Sequence, residues 1–226
     1  MSRFILPKTD LPYLRSLPEV MELALNNELD VICWQETGLR KCDEAIIEEI
    51  KSYNYEVLTE RKPRKCDVGG GVAILYKKNL PIKKMKYNKY SSFESVSIVI
   101  GSGTNQTVVS NLYFPGYSPK HRFTHNAFLN HLEELIETDL CVEENIIVSD
   151  FNIHAEDMTR DETIKLQNLL VGQNILPHNT AATHNLGGTI DLLIYSCNLS
   201  QKIFLSCFHL NLVCKHLSSR VSLSTP

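Results

Sequence analysis

The 226-residue sequence predicts an α/β fold with mixed β-sheets, and three observations lead there. Apolar runs of strand length alternate with stretches of helical periodicity, the arrangement that parallel pairing needs. Other strand-length runs follow each other directly around Gly101-Ser102-Gly103, which suits an antiparallel hairpin. A hydrophobic content of 43% supplies a sizeable core and excludes a disordered chain. The mixture of hairpins and helix-separated strands points away from a purely parallel, doubly wound sheet. No linker, repeat or low-complexity tract divides the chain, so residues 1–226 are read as a single domain.

The elements follow in order. Leu17 to Glu28 reads as a helix, with Leu17, Val20, Met21, Leu23, Ala24 and Leu25 mostly on one face and Ser16 ahead of Pro18 as its start signal. Asp30 to Trp34 reads as a buried strand running into Gln35-Glu36-Thr37. Asp43 to Tyr53 is a helix that turns Ala45, Ile46, Ile47 and Ile50 inward, and Tyr55 to Thr59 is a short strand. A basic loop with Arg61, Lys62, Arg64 and Lys65 leads into Gly69-Gly70-Gly71, and Val72 to Tyr76 is a buried strand. The glycines lack the Lys-Ser/Thr of a phosphate-binding P-loop and read as a close approach of backbones. Phe93 to Ile100 and Thr107 to Phe114 form the hairpin. Lys120 to Leu140 is the longest helix, Ile146 to Ser149 a strand, and Glu162 to Leu170 a helix. Thr189 to Tyr195, Ile203 to Leu210 and Val221 to Leu223 read as strands, whereas Met1 to Pro12 shows no strand pattern.

Charge and cysteines narrow the class. A net charge of −3 gives no global basic footprint, so any nucleic-acid contact must rest on local patches. The Lys and Arg of the basic loop, with Lys77, Lys78, Lys83, Lys84, Lys86 and Lys89, are either a solvated face or such a patch. Seven scattered Cys with no Cys-x-x-Cys argue against a disulfide framework or a zinc knuckle and for reduced thiols in an intracellular protein. Neither a secretory signal nor a membrane-length apolar run is present, so no membrane partner is expected. The pattern is silent on oligomeric state.

Polar residues at strand ends are the candidates for chemistry. Ile146-Ile147-Val148-Ser149 ends in Asp150-Phe151-Asn152, a carboxylate and an amide two positions apart. If the chain stays extended, both point to one side and could orient a water and a phosphate. The alternative is a turn in which they cap backbone groups. Glu36 is either a turn residue or the anchor of a hard cation, since magnesium takes few carboxylates and keeps its waters. Tyr113 closes another strand and by itself reads as ordinary aromatic packing. Asp191 sits early in an apolar run, where a buried carboxylate needs a partner, and a His is the natural one.

The order of these segments resembles the endonuclease/exonuclease/phosphatase superfamily, which includes DNase I and the abasic-site endonucleases. Val31 to Thr37 is similar to its metal-ligand Glu motif, Gly69 to Ile74 to its glycine-rich strand, and Leu112 to Pro115 to its Tyr-x-Pro motif. Ser149-Asp150-Phe151-Asn152 is similar to Gly-Asp-Phe-Asn, and Thr189-Ile190-Asp191 to Ser/Thr-x-Ile-Asp. The wording is most similar to the endonuclease domain of LINE-type (non-LTR) retrotransposons. The resemblance implies a DNase I-like four-layer sandwich, two mixed sheets face to face between helices. It implies a phosphodiesterase using Mg2+, or Mn2+, on DNA, associated with a reverse transcriptase in a parent element and nuclear when the target is genomic. By matched position, Glu36 would bind the metal, Asp150 would orient or deprotonate water, Asn152 would hold a phosphate oxygen and Tyr113 would touch the phosphate. Asp191 would orient the late histidine, His216.

Two departures set further expectations. The family's closing Ser-Asp-His aligns with Cys214-Lys215-His216, which puts a cation beside the metal site, unless Lys215 instead touches a substrate phosphate. His209 is the alternative histidine if the alignment slips. Tyr13 stands where an Asn-x-Arg-Ser-Leu wording has Asn, and no strand precedes it, so the first strand is expected to be missing and both chain ends divergent. Weak or absent turnover follows. The alternatives are a non-catalytic remnant that only binds nucleic acid, and a small-molecule phosphoesterase of the same superfamily.

Overall fold

Alternating strands with one apolar face must bury it, and here two sheets bury theirs against each other. The computed structural model describes residues 4–5, 17–39, 43–62, 70–85, 90–103, 105–118, 123–139, 144–177 and 191–196. A four-stranded sheet is built from β1 (Phe4–Ile5), β2 (Val31–Gln35), β3 (Tyr55–Glu60) and β4 (Val72–Lys77), in the spatial order β1-β2-β4-β3. A six-stranded sheet contains β5 (Ile82–Lys84), β6 (Glu94–Ser102), β7 (Asn105–Tyr113), β8 (Glu144–Asp150), β9 (Ile175–Pro177) and β10 (Asp191–Ser196), in the order β5-β6-β7-β8-β10-β9. The β1/β2 and β7/β8 pairs are parallel and the others antiparallel, so both sheets are mixed.

Val31, Cys33, Val72 and Ile74 from the first sheet meet Val96, Ile98, Val109, Ile146, Val148 and Leu193 from the second in one buried cluster. Their neighbours along each strand point outward, as period-2 alternation dictates, and helices cover them. The helices α1 (Leu17–Asn26) and α2 (Glu44–Ser52) pack Leu17, Val20, Met21 and Ile50 on Ile32, Trp34 and Leu75. On the far side, α3 (His125–Asp139) and α4 (Asp161–Gly172) place Phe128, Leu132, Leu135, Leu166 and Leu170 over Leu112, Ile147 and Ile194. The result is the four-layer sandwich, helix-sheet-sheet-helix. Cys33 lies in the dry inter-sheet layer, where burial pushes its thiol up to about 12 and leaves it a small hydrophobe.

Several elements differ from the sequence reading. The first strand is present: Phe4 and Ile5 pair in parallel with Val31 and Ile32. Two residues are too few to show an alternation, and neighbouring backbone supplies the pairing. The strand β5 carries Lys83 and Lys84 at a sheet edge, so its lysines hid a strand that charged edges commonly protect. Pro177 ends β9, which is also an edge strand. The hairpin turns tightly, Ser102 opposite Asn105, with Gly103 at φ +62°. The long helix begins at His125, later than the hydrophobic period suggests, because Thr124 caps it. Its Oγ1 accepts the Ala127 N–H at 3.1 Å and its carbonyl accepts Phe128 N–H at 3.0 Å. Replacing Thr124 by Ala is expected to cost about 1 kcal/mol, seen as a melting temperature lower by roughly 2–4 °C. The strands expected at Ile203 to Leu210 and Val221 to Leu223 lie outside the described residues.

Candidate active site

One row across the six-stranded sheet gathers the polar strand ends. Glu94 on β6 stands opposite Tyr113 on β7, Tyr113 opposite Asp150 on β8, and Asp150 opposite Asp191 on β10. Residues directly opposite share a face. Two positions inward from Glu94 and Asp150, Val96 and Val148 sit in the inter-sheet core. Glu94, Tyr113 and Asp150 therefore occupy the rim of the seam between the sheets. Asp191 occupies the same register row, and its side chain is outside the described set.

The first sheet contributes Glu36, immediately after β2. Its backbone turns into the left-handed region, φ +54°. The segment that follows is fastened to the glycine strand: Thr37 N–H donates to Gly71 O at 3.2 Å and Gly38 N–H to Gly70 O at 2.8 Å. A Cβ on Gly71, at φ +92°, would lie 2.7 Å from Thr37 Oγ1, so only glycine permits this approach. The close backbone packing read from the glycines is thus found at Gly71; Gly69 lies outside the described residues. So aimed, Glu36 Oε1 accepts the Tyr113 hydroxyl at 2.5 Å, a contact that joins the two sheets.

The Asp150-Phe151-Asn152 segment turns instead of staying extended, which corrects one of the two sequence alternatives. The strand β8 ends at Asp150, whose Oδ1 accepts the Asn152 N–H at 3.1 Å. Asn152 adopts φ +47°, which Asn tolerates better than most residues, and its Nδ2 donates to Phe114 O at 2.7 Å. Asp150 is 4% exposed. This turn seats Asn152 against Gly116, where an added Cβ would lie 3.5 Å from the Asn152 Cβ.

Sequence reasoning missed two residues that hold this rim together. Glu94 is buried and accepts Lys62 N–H at 2.9 Å and Gly71 N–H at 2.5 Å, tying the β3–β4 connection to the second sheet. Its signal was a carboxylate opening an otherwise apolar strand. Asn111, 0% exposed, donates from Nδ2 to Trp34 O at 3.1 Å and Ala73 O at 2.8 Å and accepts Gln35 Nε2 at 2.5 Å. Its signal in the sequence is an amide between the apolar residues of a strand-length run. Lys77 and Lys78, by contrast, lie at the opposite end of the first sheet. Lys77 Nζ pairs with Asp30 at 3.0 Å and Lys78 Nζ donates to Lys51 O, so this part of the lysine series does not face the rim.

Among the described residues no group of three or more His, Cys, Asp or Glu forms a metal-holding cluster. Besides Glu94, which accepts two backbone N–H groups, the rim presents the carboxylate oxygens of Glu36 and Asp150 flanking Tyr113. A hard divalent cation such as magnesium, needing one or two carboxylates and several waters, fits that chemistry. His216, Lys215, Tyr13 and His209 lie outside the described residues. No helix among the described residues is long and apolar enough to cross a membrane.

Residues 13–202 match the family model described as the Endonuclease/Exonuclease/phosphatase family. Among curated proteins none matches. Among solved structures, the endonuclease domain of TRAS1, a telomere-specific non-LTR retrotransposon, superposes with a TM-score of 0.63 at 10% identity, covering 89% of this chain and 88% of that one. An AP endonuclease from Archaeoglobus fulgidus gives 0.62 at 14% identity, covering 89% of both chains. The 3′ phosphatase NExo from Neisseria, bound to product DNA hairpin, gives 0.58 at 13%, covering 89% of both. At these identities the likeness is one of fold.

Proposed function

The chain belongs to the endonuclease/exonuclease/phosphatase family, and from that premise we propose that it is a divalent-metal phosphodiesterase domain of the retrotransposon-endonuclease type, acting on DNA with weak turnover. The observation that carries this reading is the Tyr113–Glu36 contact across the seam, with Asp150 in the adjoining register position. Phosphoryl transfer needs an aligned nucleophile and neutralised equatorial oxygens, and this rim offers carboxylates and amide donors for both. Glu36 would hold Mg2+ or Mn2+, and the ion, when bound, supplies positive charge to the phosphate.

The chain's own residues divide the remaining work. Asp150 orients a water and takes its proton. Asn152 spends one amide N–H on Phe114 O and keeps a second for a phosphate oxygen. Tyr113 gives its single hydroxyl proton to Glu36, so it fixes that carboxylate first and reaches a phosphate oxygen only when the hydroxyl rotates away from Glu36 to donate there instead. Asp191 orients His216 in this proposal. A parent element of this type would carry a reverse transcriptase beside the domain, and its place of action would be the nucleus. Lys215, where an acid is expected, and Tyr13, where an amide is expected, account for weak turnover. They also favour a second reading, a remnant that binds DNA without cutting it.

Supercoiled plasmid incubated with the full chain separates the two. Nicking that requires magnesium and stops with EDTA supports the enzyme, whereas binding without nicking supports the remnant. A magnesium titration of thermal stability tests the metal site apart from turnover. At a concentration 100-fold above Kd the gain is about 2.7 kcal/mol, or roughly 5–10 °C. Glu36→Gln is expected to remove that gain, and an unchanged gain would remove Glu36 from the metal site.

A further inference from the structure

A row of rings leads from the core to the surface beside the candidate site. Phe128 stacks on Phe114 at 4.4 Å between centroids and 19° between planes. Phe114 meets His125 edge-on at 5.9 Å, and His125 lies 5.6 Å from Tyr117. Tyr117 ends the row and is 60% exposed, unusual for an aromatic ring among the described residues. Its segment is nevertheless pinned: Ser118 N–H donates to Phe123 O at 2.8 Å and Phe123 N–H to Ser118 O at 3.0 Å. Tyr117 and His125 border a cavity of about 270 Å³ whose other walls include Asn126, Asp161, Glu162 and Lys165.

We propose that this cavity is a nucleobase subsite, in which one base of a DNA substrate stacks on Tyr117 beside the phosphodiester site. The inference rests on the DNA phosphodiesterase reading above and assigns that site a substrate contact of its own. Position supports it. Tyr117 directly follows Gly116, whose backbone lies against Asn152, and Phe114 O receives the Asn152 amide. The segment that carries Tyr117 is thus packed on the residue proposed to meet the phosphate.

Charge says which part of a nucleotide fits. Lys165 Nζ is paired with Asp161 at 2.7 Å and donates to Asn126 Oδ1 at 3.2 Å. Glu162 adds a further negative charge, 3.9 Å from Arg160 Nη1. Burial holds the His125 imidazole below its ordinary value, so it is neutral near pH 7. With Asp161 paired to Lys165 and Glu162 beside Arg160, the walls offer no excess of positive charge to hold a phosphate and suit a neutral planar ring, whose exocyclic amino N–H Glu162 can receive. Stacking of this kind tolerates any base, because each has a π-face.

The test uses the full chain with calcium replacing magnesium and a DNA duplex carrying one unpaired 2-aminopurine. Binding is expected to quench the fluorophore. Tyr117→Ala should raise Kd roughly 5- to 100-fold and abolish the quench, while Tyr117→Phe keeps both. A duplex with an abasic tetrahydrofuran at that position should bind the unaltered chain as weakly as the normal duplex binds Tyr117→Ala. Equal Kd for the unaltered chain and Tyr117→Ala overturns the subsite and leaves the phosphodiesterase reading standing. Absence of both binding and nicking by the unaltered chain overturns both. Since Tyr117 is exposed, an unchanged melting temperature shows that the variant is folded.

Discussion

Asp150→Asn is expected to reduce magnesium-dependent plasmid nicking by about 10²-fold or more, to the background of a reaction without protein. The Asn substitution isolates charge from shape. Asp150 Oδ1 accepts the Asn152 N–H, and an Asn at 150 retains an amide oxygen that can do the same. The turn at φ +47° and the Asn152 contact to Phe114 should then survive. What disappears is the negative charge and the capacity to take a proton from water, which a positioned base contributes at about 10²–10⁴-fold. Asp150→Ala removes the turn acceptor as well and should lose stability in addition. Nicking by Asp150→Asn at the unaltered rate, with the same magnesium requirement, would exclude Asp150 as the base.

The second large effect is on stability. Asn111→Ala deletes a buried amide that answers Trp34 O, Ala73 O and Gln35 Nε2. The Gln35 side chain is then left in a dry seam without its acceptor, at a cost of about 2–4 kcal/mol in total. For a chain of this size that corresponds to a melting temperature lower by roughly 5–15 °C. The asymmetry of buried polar groups gives a sharper version. Replacing both partners, Gln35→Leu with Asn111→Leu, should cost less than the sum of the single changes, because the Gln35 amide is no longer left without its acceptor, although Trp34 O and Ala73 O still lose the Asn111 donor. Additivity in that double-mutant cycle would mean that the two amides do not act as a pair. Since Gln35 immediately precedes Glu36, the single variants should also weaken the magnesium-induced stabilisation, even at temperatures where they remain folded.

Much of the fold could be read from periodicity because the core strands carry it plainly. Val31 to Trp34, Val72 to Tyr76 and the Phe93 to Phe114 hairpin are long apolar runs that only a buried strand explains. Phe4–Ile5 and Ile175–Pro177 are too short to show any period, and Lys83 and Lys84 disguise an edge. The candidate site was legible in a different way. Glu36, Tyr113 and Asp150 stood out as polar residues at the ends of apolar runs, and their approach to one another depends on strand register, which local pattern does not encode. Glu94 and Asn111 were overlooked because a polar residue inside a strand has the look of a solvent-facing position. Only the pairing shows that both point into the seam. Asp-Phe-Asn was readable as two things, and the backbone decided for the turn.

Because Glu36 and Tyr113 belong to different sheets, their contact exists only once those sheets have docked. A collapsed intermediate could hold every strand and still lack the pair, showing normal far-UV circular dichroism with no cation affinity. In the proposed reading, in which Glu36 holds the ion, cation affinity therefore requires docked sheets and not only formed strands, and a magnesium titration reports on that docking.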